Sequence, residues 1–242
     1  SDWADEAPLE MEITRLDTRG NSRPPLSSAQ VADIMARIGA ELPNQISFWQ
    51  QLQEVALEVN RDVNLDGRRN MPVNGINPPA RPFTAAGVAG AGQFYAAGTF
   101  EITPDKALIV KVQAPVEPLY VGFQLNNLWF EGPDQQNYVS SLSGDQLPVA
   151  SDGARYYIVA HRDPGLQGWV DTTGLEKGTH TVRFIFDQEL GQEQFPTARA
   201  RLVSFEDIGG HVPADTPAIS PEQRRLEIAE RQSHIKRRWR GH

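Results

Sequence analysis

Three oxygen-bearing side chains, Asp62, Asn64 and Asp66, alternate ahead of Gly67 in the stretch Asp62-Val63-Asn64-Leu65-Asp66-Gly67. Carboxylate and amide oxygens on alternate residues can converge on a hard cation, and glycine permits the sharp turn such a loop needs. The segment reads as the first half of a calcium loop holding a structural ion. Its twelfth position is Val73 rather than a bidentate Glu, and Arg68 and Arg69 make its second half basic, so an ion here needs ligands from elsewhere in the chain. Without an ion, the same residues form Asx turns on their own.

A second stretch, Tyr156 to Gly165, runs as a strand into the turn Asp163-Pro164-Gly165. His161 is the side chain best suited to move a proton near neutral pH, and Arg162 can clamp a carboxylate, phosphate or sulfate. The plainer role is that Asp163 caps the turn and His161 fills a strand end. A third stretch, Asn126-Asn127-Leu128-Trp129-Phe130-Glu131-Gly132-Pro133-Asp134, sets amides, aromatics and acids side by side. Aromatic faces stack on the apolar faces of sugar rings while amides and acids hold hydroxyls. Glu131 and Asp134 can act as a carboxylate pair for acid/base chemistry if folding sets their separation. Equally, the segment makes a polar hairpin loop over a packed Trp and Phe.

The fourth stretch, Gly168-Trp169-Val170-Asp171-Thr172-Thr173-Gly174, offers Trp169 as a wall and Asp171 as a polar contact. The strand after it carries His180 and Arg183. If it neighbours the His161 strand, Arg183 and His161 meet on one face, and a one-residue slip reverses that.

What is absent narrows the chemistry. The chain has no Cys, which removes disulfides, thiolate catalysis and iron–sulfur ligation. It has no G-x-S-x-G, phosphate loop, H-E-x-x-H or dinucleotide fingerprint. Its five His (161, 180, 211, 234 and 242) show no ligand spacing. No nucleotide cofactor, haem or iron–sulfur cluster is expected, only calcium. A formal net charge of −8 repels nucleic acid and anionic membranes. The exception is a basic tail with Arg224, Arg225, Arg231, Lys236, Arg237, Arg238 and Arg240. Glu222, Glu227 and Glu230 interrupt it, so it reads as a solvated helix docked on an acidic surface of its own chain or of a partner subunit. No apolar run approaches the ~20 residues of a membrane span. The chain opens Ser1-Asp2-Trp3 without a Met, which leaves cytoplasmic and exported locations both open for a soluble protein.

The elements that must position these groups follow from periodicity. Residues 1–26 are an irregular arm. Residues 27–60 are helical: Ser27 and Gln30 have capping-box spacing, Val31, Ile34, Met35 and Ile38 fall on one face, and Gly39 and Pro43 end the helix. A second short helix covers Ser47 to Val59, with Phe48, Leu52, Val55 and Val59 as its stripe. Both stripes are expected to pack in a core. Residues 61–97 are an Asn/Asp/Gly/Pro-rich connection. From 98 to 208 the period is two: Leu108, Val110 and Val112; Val121, Phe123 and Leu125; Val182, Phe184 and Phe186; Leu202 and Ser204. Short strands between turn clusters, with no interleaved helices, predict a mainly β, antiparallel sandwich. Residues 209–242 are a linker and a basic helix opened by Ser220-Pro221-Glu222-Gln223, with Ile228, Ile235 and Trp239 as a thin stripe.

Several of these pieces, in order, carry a resemblance. Gly98-Thr99-Phe100 leads into a strand, Tyr120 to Leu125 follows a Pro-containing turn, and Asp152-Gly153 precedes Tyr157-Ile158-Val159. Pro164, Gly168-Trp169-Val170-Asp171 and Arg183-Phe184 complete the set. Residues 98–187 thereby resemble the bacterial "domain of unknown function 1214" family. Gly168 stands where that family usually has Asn, and the usual Pro after the Arg-containing strand is missing. The resemblance implies a jelly-roll-like sandwich preceded by helices, and implies no particular activity.

Three functions fit these residues. The first is an enzyme acting on a small polar organic or carbohydrate-like substrate at one end of the sandwich. There His161, Glu131 and Asp134 would be acid/base groups and Arg162 or Arg183 an anion clamp. Trp129 and Trp169 would be walls, and Asn126, Asn127, Asp163 and Asp171 polar contacts. The second is a non-catalytic glycan- or ligand-binding module, calcium-stabilised through Asp62, Asn64 and Asp66. The third is a homo-oligomeric assembly subunit gripping its neighbour through the arm and the C-terminal helix.

Overall fold

A computed structural model describes residues 12, 14, 24–57, 70–81 and 92–240, except the side chains of residues 55 and 238–240. Asp62, Asn64 and Asp66, and most of the N-terminal arm, lie outside the described residues. The chain divides into two compact units, one ending at Leu52 and the other running Gln53–His242.

The second unit is mostly β. Its strands are β1 (Gln93–Glu101), β2 (Lys106–Gln113), β3 (Tyr120–Asn126), β4 (Ser141–Ser143), β5 (Arg155–Ala160), β6 (Trp169–Asp171), β7 (Lys177–Ile185) and β8 (Thr197–Ser204). They form two four-stranded sheets, ordered β1-β7-β3-β4 and β6-β5-β2-β8. All pairs are antiparallel except β5 with β6, so the second sheet is mixed rather than purely antiparallel as expected. Leu108, Val110 and Val112 of β2 meet Phe94 and Phe100 of β1, Phe123 and Leu125 of β3, Tyr157 of β5 and Phe184 of β7 in one buried cluster. Each such side chain contributes about 1.5–3 kcal/mol by leaving water. The alternate β2 residues, Ala107 and Ile109, join Ile158, Ala160, Trp169 and Val203 in a smaller cluster on the other side. The second sheet is therefore covered on both faces, its outer one by the chain around Phe205, Ile208 and Val212.

The first strand begins five residues before the expected boundary at 98. Its sequence, Gln93-Phe94-Tyr95-Ala96-Ala97-Gly98-Thr99-Phe100-Glu101, does alternate, with Phe94, Ala96 and Phe100 inward, but two alanines and a glycine mask the pattern. Gly98 is a steric requirement: a Cβ there would strike the Gly75 carbonyl and His180 Nε2. That carbonyl belongs to residues 72–80, which cap the free edge of β1. Asn74 N donates to Thr99 O (2.8 Å), Asn77 N to Ala97 O (2.9 Å) and Ala80 N to Tyr95 O (2.9 Å). Covering an edge strand removes a template for unwanted pairing. His180 Nε2 donates to Gly75 O across 3.0 Å, and burial pushes its pKa down to about 4. The ring is thus neutral and structural.

The expected pair of N-terminal helices is one helix, α1 (Ser28–Leu57), which passes through Pro43. Its predicted capping box is present: Ser27 N donates to Gln30 Oε1 (2.9 Å) and Gln30 N to Ser27 Oγ (3.3 Å). Proline costs a helix interior one hydrogen bond. A side-chain pair across it, Asn44 with Glu41, and one beyond it, Gln51 with Ser47, support an unbroken turn pattern. Within the first unit the stripe does not pack in a core as expected, since Val31, Met35 and Ile38 are exposed and Ile34 is only half-buried. The C-terminal helix, α2 (Pro221–Arg240), opens with the second predicted capping box, Ser220 N to Gln223 Oε1 (2.8 Å) and Gln223 N to Ser220 Oγ (3.2 Å). No helix among the described residues is long and apolar enough to cross a membrane.

Candidate functional site

One strand-end loop and one turn build an open depression. The loop, residues 127–140, links β3 to β4; the turn, 172–175, follows β6. Leu125 N donates to Ser140 O (3.1 Å) at the base of the loop, and Asp171 N donates to Val139 O (2.7 Å), which holds the turn against it. Thr173 and Phe130 adopt positive φ of 56° and 61°, which sharpens both reversals. Between them lies a concavity of about 460 Å³, with Asn127, Glu131, Asp134, Tyr138, Thr173 and Leu175 among its lining. Asn127 is the loop's organiser. Its Oδ1 accepts from Trp129 N (2.8 Å) and Glu131 N (3.0 Å), and its Nδ2 donates to Glu131 Oε2 (2.7 Å). Asp134 accepts from Asn137 Nδ2 (2.6 Å) and from the backbone N–H groups of Gln136 (3.0 Å) and Asn137 (3.1 Å). The Asn137 amide leads in holding the Asp134 carboxyl below its ordinary pKa. Asp134 is thus an ionised acceptor and not an acid. Glu131 keeps one carboxylate oxygen beyond its bond to Asn127, and Tyr138 is exposed beside it.

The His161 corner is built differently. His161 Nε2 donates to Ile102 O (2.9 Å), and its Nδ1 pairs with the buried Thr172 hydroxyl (2.9 Å). With both nitrogens engaged by the protein, the ring ties the end of β5 to two neighbouring segments and has no lone pair to offer a substrate. Asp163 accepts from Gly165 N (2.8 Å), as expected of a turn cap, and from Arg224 Nε (2.9 Å) and Nη2 (3.4 Å). Arg224 also donates to Glu227 Oε2 (2.6 Å) and Leu166 O (3.1 Å) and lies 5.1 Å from the Trp169 ring centre. These contacts dock α2 on its own chain. Arg231 adds a bond to Ser141 O, and Ile228 packs against the main core.

The remaining residues scatter. Arg183 and His161 do not meet, because β7 belongs to the first sheet and β5 to the second. Arg183 donates to Gln93 Oε1 (3.1 Å) and lies over Tyr95, while Arg162 lies over Phe205, 4.0 Å from its ring centre. Neither is a clamp for the other candidates. Trp169 is 7% exposed in the smaller cluster and donates to Ala160 O (3.1 Å), so it is packing and not a wall. Trp129 is half-exposed outside the depression, and Asn126 is buried, accepting from Gln124 Nε2 (2.7 Å). Asp171 accepts from Thr173 N (2.8 Å), and burial raises its pKa. Of the predicted ligand groups, the fold brings Asn127, Glu131 and Asp134 together. Tyr138 and Leu175 were not anticipated, and nothing in their spacing marks them. Among the described residues no group of three or more His, Asp and Glu is placed to hold a metal ion.

No protein-family model matches the chain, and no curated protein matches it. The solved structure of an uncharacterised protein from Burkholderia cenocepacia is similar over 55% of this chain and 36% of its own, with 25% identity and a TM-score of 0.46. The VPA0106 protein from Vibrio parahaemolyticus is similar over 74% of this chain and 47% of its own, with 10% identity and a TM-score of 0.37. The chain therefore spans less than half the length of each of these two proteins.

Proposed function

We propose that this chain is a binding module for a small polyhydroxylated or carbohydrate-like ligand, taken up in the depression between the 127–140 loop and the 172–175 turn. The observation that carries the reading is the convergence of Asn127, Glu131 and Asp134 with an exposed Tyr138 on one concavity. A Tyr face suits an apolar sugar face, and the two carboxylates accept from hydroxyls. Binding is favoured over catalysis because His161, the candidate acid/base group, has both ring nitrogens engaged by the protein. Within this reading the two sheets form a jelly-roll-like sandwich. The pairing of β1 with β7 and the passage of the chain from one sheet to the other at β2 and back at β3 support that path. Membership of the "domain of unknown function 1214" family over residues 98–187 and calcium at Asp62, Asn64 and Asp66 belong to the same proposal. Titration with a panel of mono- and oligosaccharides tests it. At least one sugar should bind saturably, and Glu131→Gln or Tyr138→Ala should weaken it about tenfold. Absence of binding across the panel, or unchanged affinity in both variants, refutes the reading. Calcium should raise the melting temperature after chelation.

A second reading, self-assembly, gains from the exposed stripe of α1 and loses the basic tail, since α2 is docked on its own chain. Sedimentation of the wild type against Met35→Glu distinguishes a stripe-dependent oligomer from a monomer.

A further inference from the structure

A second cavity lies away from the depression, on the outer side of β5. It encloses about 160 Å³ between residues 147–151, the Tyr156 ring and residues 215–217. Its walls at Val149 and Pro217 are apolar, and none of its lining residues is basic. Two hydrogen-bond acceptors are open to it. Ser151 Oγ donates to Asp215 Oδ1 (3.0 Å), which leaves that carboxylate's second oxygen open. Gln167 directs one N–H of its amide toward Gln146 O (3.5 Å), which leaves its carbonyl oxygen and its other N–H open. Tyr156 already donates its hydroxyl to Asp152 Oδ2 (2.6 Å), so its ring is what it offers. Donation to a carboxylate enriches the ring in electrons and strengthens its attraction for a cation.

The chain itself shows the preference. Lys111 pairs with Tyr156 in the β2–β5 register. Its ammonium lies 5.3 Å from the Tyr156 ring centre and 2.7 Å from Asp152 Oδ2. An aromatic face next to a carboxylate thus already holds one alkylammonium on the β2 side of Tyr156. On the β6 side, where Gln167 lies, the Tyr156 ring shares the cavity lining with the Asp215 carboxylate, and no basic residue lines it.

We propose that this cavity binds a small organic cation, an alkylammonium, with its charge beside Asp215 and the Tyr156 ring and its apolar body against Val149 and Pro217. An anion of the same shape would face the charge of the Asp215 carboxylate, with no basic residue in the lining to offset it, and is rejected. A neutral alcohol keeps the apolar contacts and loses the charge.

The test is amide-resolved NMR of the full chain titrated at pH 7 with n-butylammonium, butyrate and 1-butanol. Butylammonium should give saturable shifts at Ala150, Ser151, Gln167 and Thr216, while butyrate gives none and butanol binds more weakly. Asp215→Asn, at an exposed position, should weaken butylammonium at least about tenfold, the loss of one charged hydrogen bond. Glu131→Gln, in the depression, should leave it unchanged, which separates this site from the sugar-binding reading. Equal binding of butyrate, undiminished binding in Asp215→Asn, equal loss in Glu131→Gln, or no saturable shift overturns the proposal.

Discussion

The corner at His161 and the depression at Glu131 hold similar side chains and do opposite things with them. At the corner, His161 spends its ring nitrogens on Ile102 O and the Thr172 hydroxyl, and Arg224 spends its guanidinium on Asp163, Glu227 and Leu166 O. In the depression, Glu131 keeps an open carboxylate oxygen and Tyr138 an exposed face. Residue type alone made both look chemical. The difference lies in how many partners each group already has, because a saturated polar group holds structure and only an unsaturated one can hold a ligand.

The sharpest way to break this comparison is at Arg224. Its side chain is 8% exposed and its partner Asp163 is 29% exposed. Arg224→Ala strips a forked ion pair, a backbone bond and the contact with Trp169, and should cost about 3 kcal/mol in urea unfolding. Arg224→Lys should not restore it, since an ammonium cannot span Asp163 and Leu166 O together. A variant as stable as wild type would mean that α2 is not docked through this residue. At the same corner, His161→Ala should cost about 2 kcal/mol, because it leaves the buried Thr172 hydroxyl and Ile102 O without their partner. Sugar affinity should be unchanged. If ligand binding or turnover collapses in His161→Ala while stability holds, the corner is functional after all.

A second histidine sharpens the same point through pH. His180 is fully buried, donates to Gly75 O, and has its pKa lowered from 6.5 to about 4. Between those values the unfolded chain takes up a proton that the folded chain refuses. The stability His180 confers is therefore complete above about pH 6.5 and is lost as pH falls toward 4. This one site gives a slope of at most about 1.4 kcal/mol per pH unit. Unfolding free energies measured from pH 7 to 4.5 should show this slope, and His180→Gln should flatten it. An unchanged slope in the variant would assign the acid sensitivity to other groups.

Much of the β architecture was legible because its central strands alternate cleanly, as Val121, Phe123 and Leu125 do. The two capping boxes were legible because they depend on residues three apart. The first strand was not, because Ala96, Ala97 and Gly98 carry little hydrophobic signal. Gly98 is there for a carbonyl that comes from residue 75, a contact with no local trace. The unbroken α1 was hidden by Pro43, whose local cost predicts a break that the flanking helix overrides. At the site level one short loop carries Asn127, Glu131 and Asp134, and the fold keeps all three on one concavity. The condition for Arg183 to meet His161, neighbouring strands, is not met, because strand order across two sheets is a long-range property. The saturation of His161 depended on Ile102, 59 positions away, and no spacing rule reaches that far.

The smallest effect on stability is expected at Glu131, and it decides whether openness marks function. Glu131→Gln keeps the shape of the side chain and replaces an open carboxylate oxygen with an amide. The loop is ordered chiefly by Asn127, which receives the backbone N–H groups of Trp129 and Glu131 itself and does not need the Glu131 charge for either. Stability should therefore move by no more than about 0.5 kcal/mol, as for an exposed position, while sugar affinity falls. Such a split between unfolding free energy and affinity would be the reverse of that expected at His161. If Glu131→Gln instead destabilises the fold as much as His161→Ala does, the carboxylate is another structural group. The depression would then be only the hollow left where a hairpin loop meets a turn.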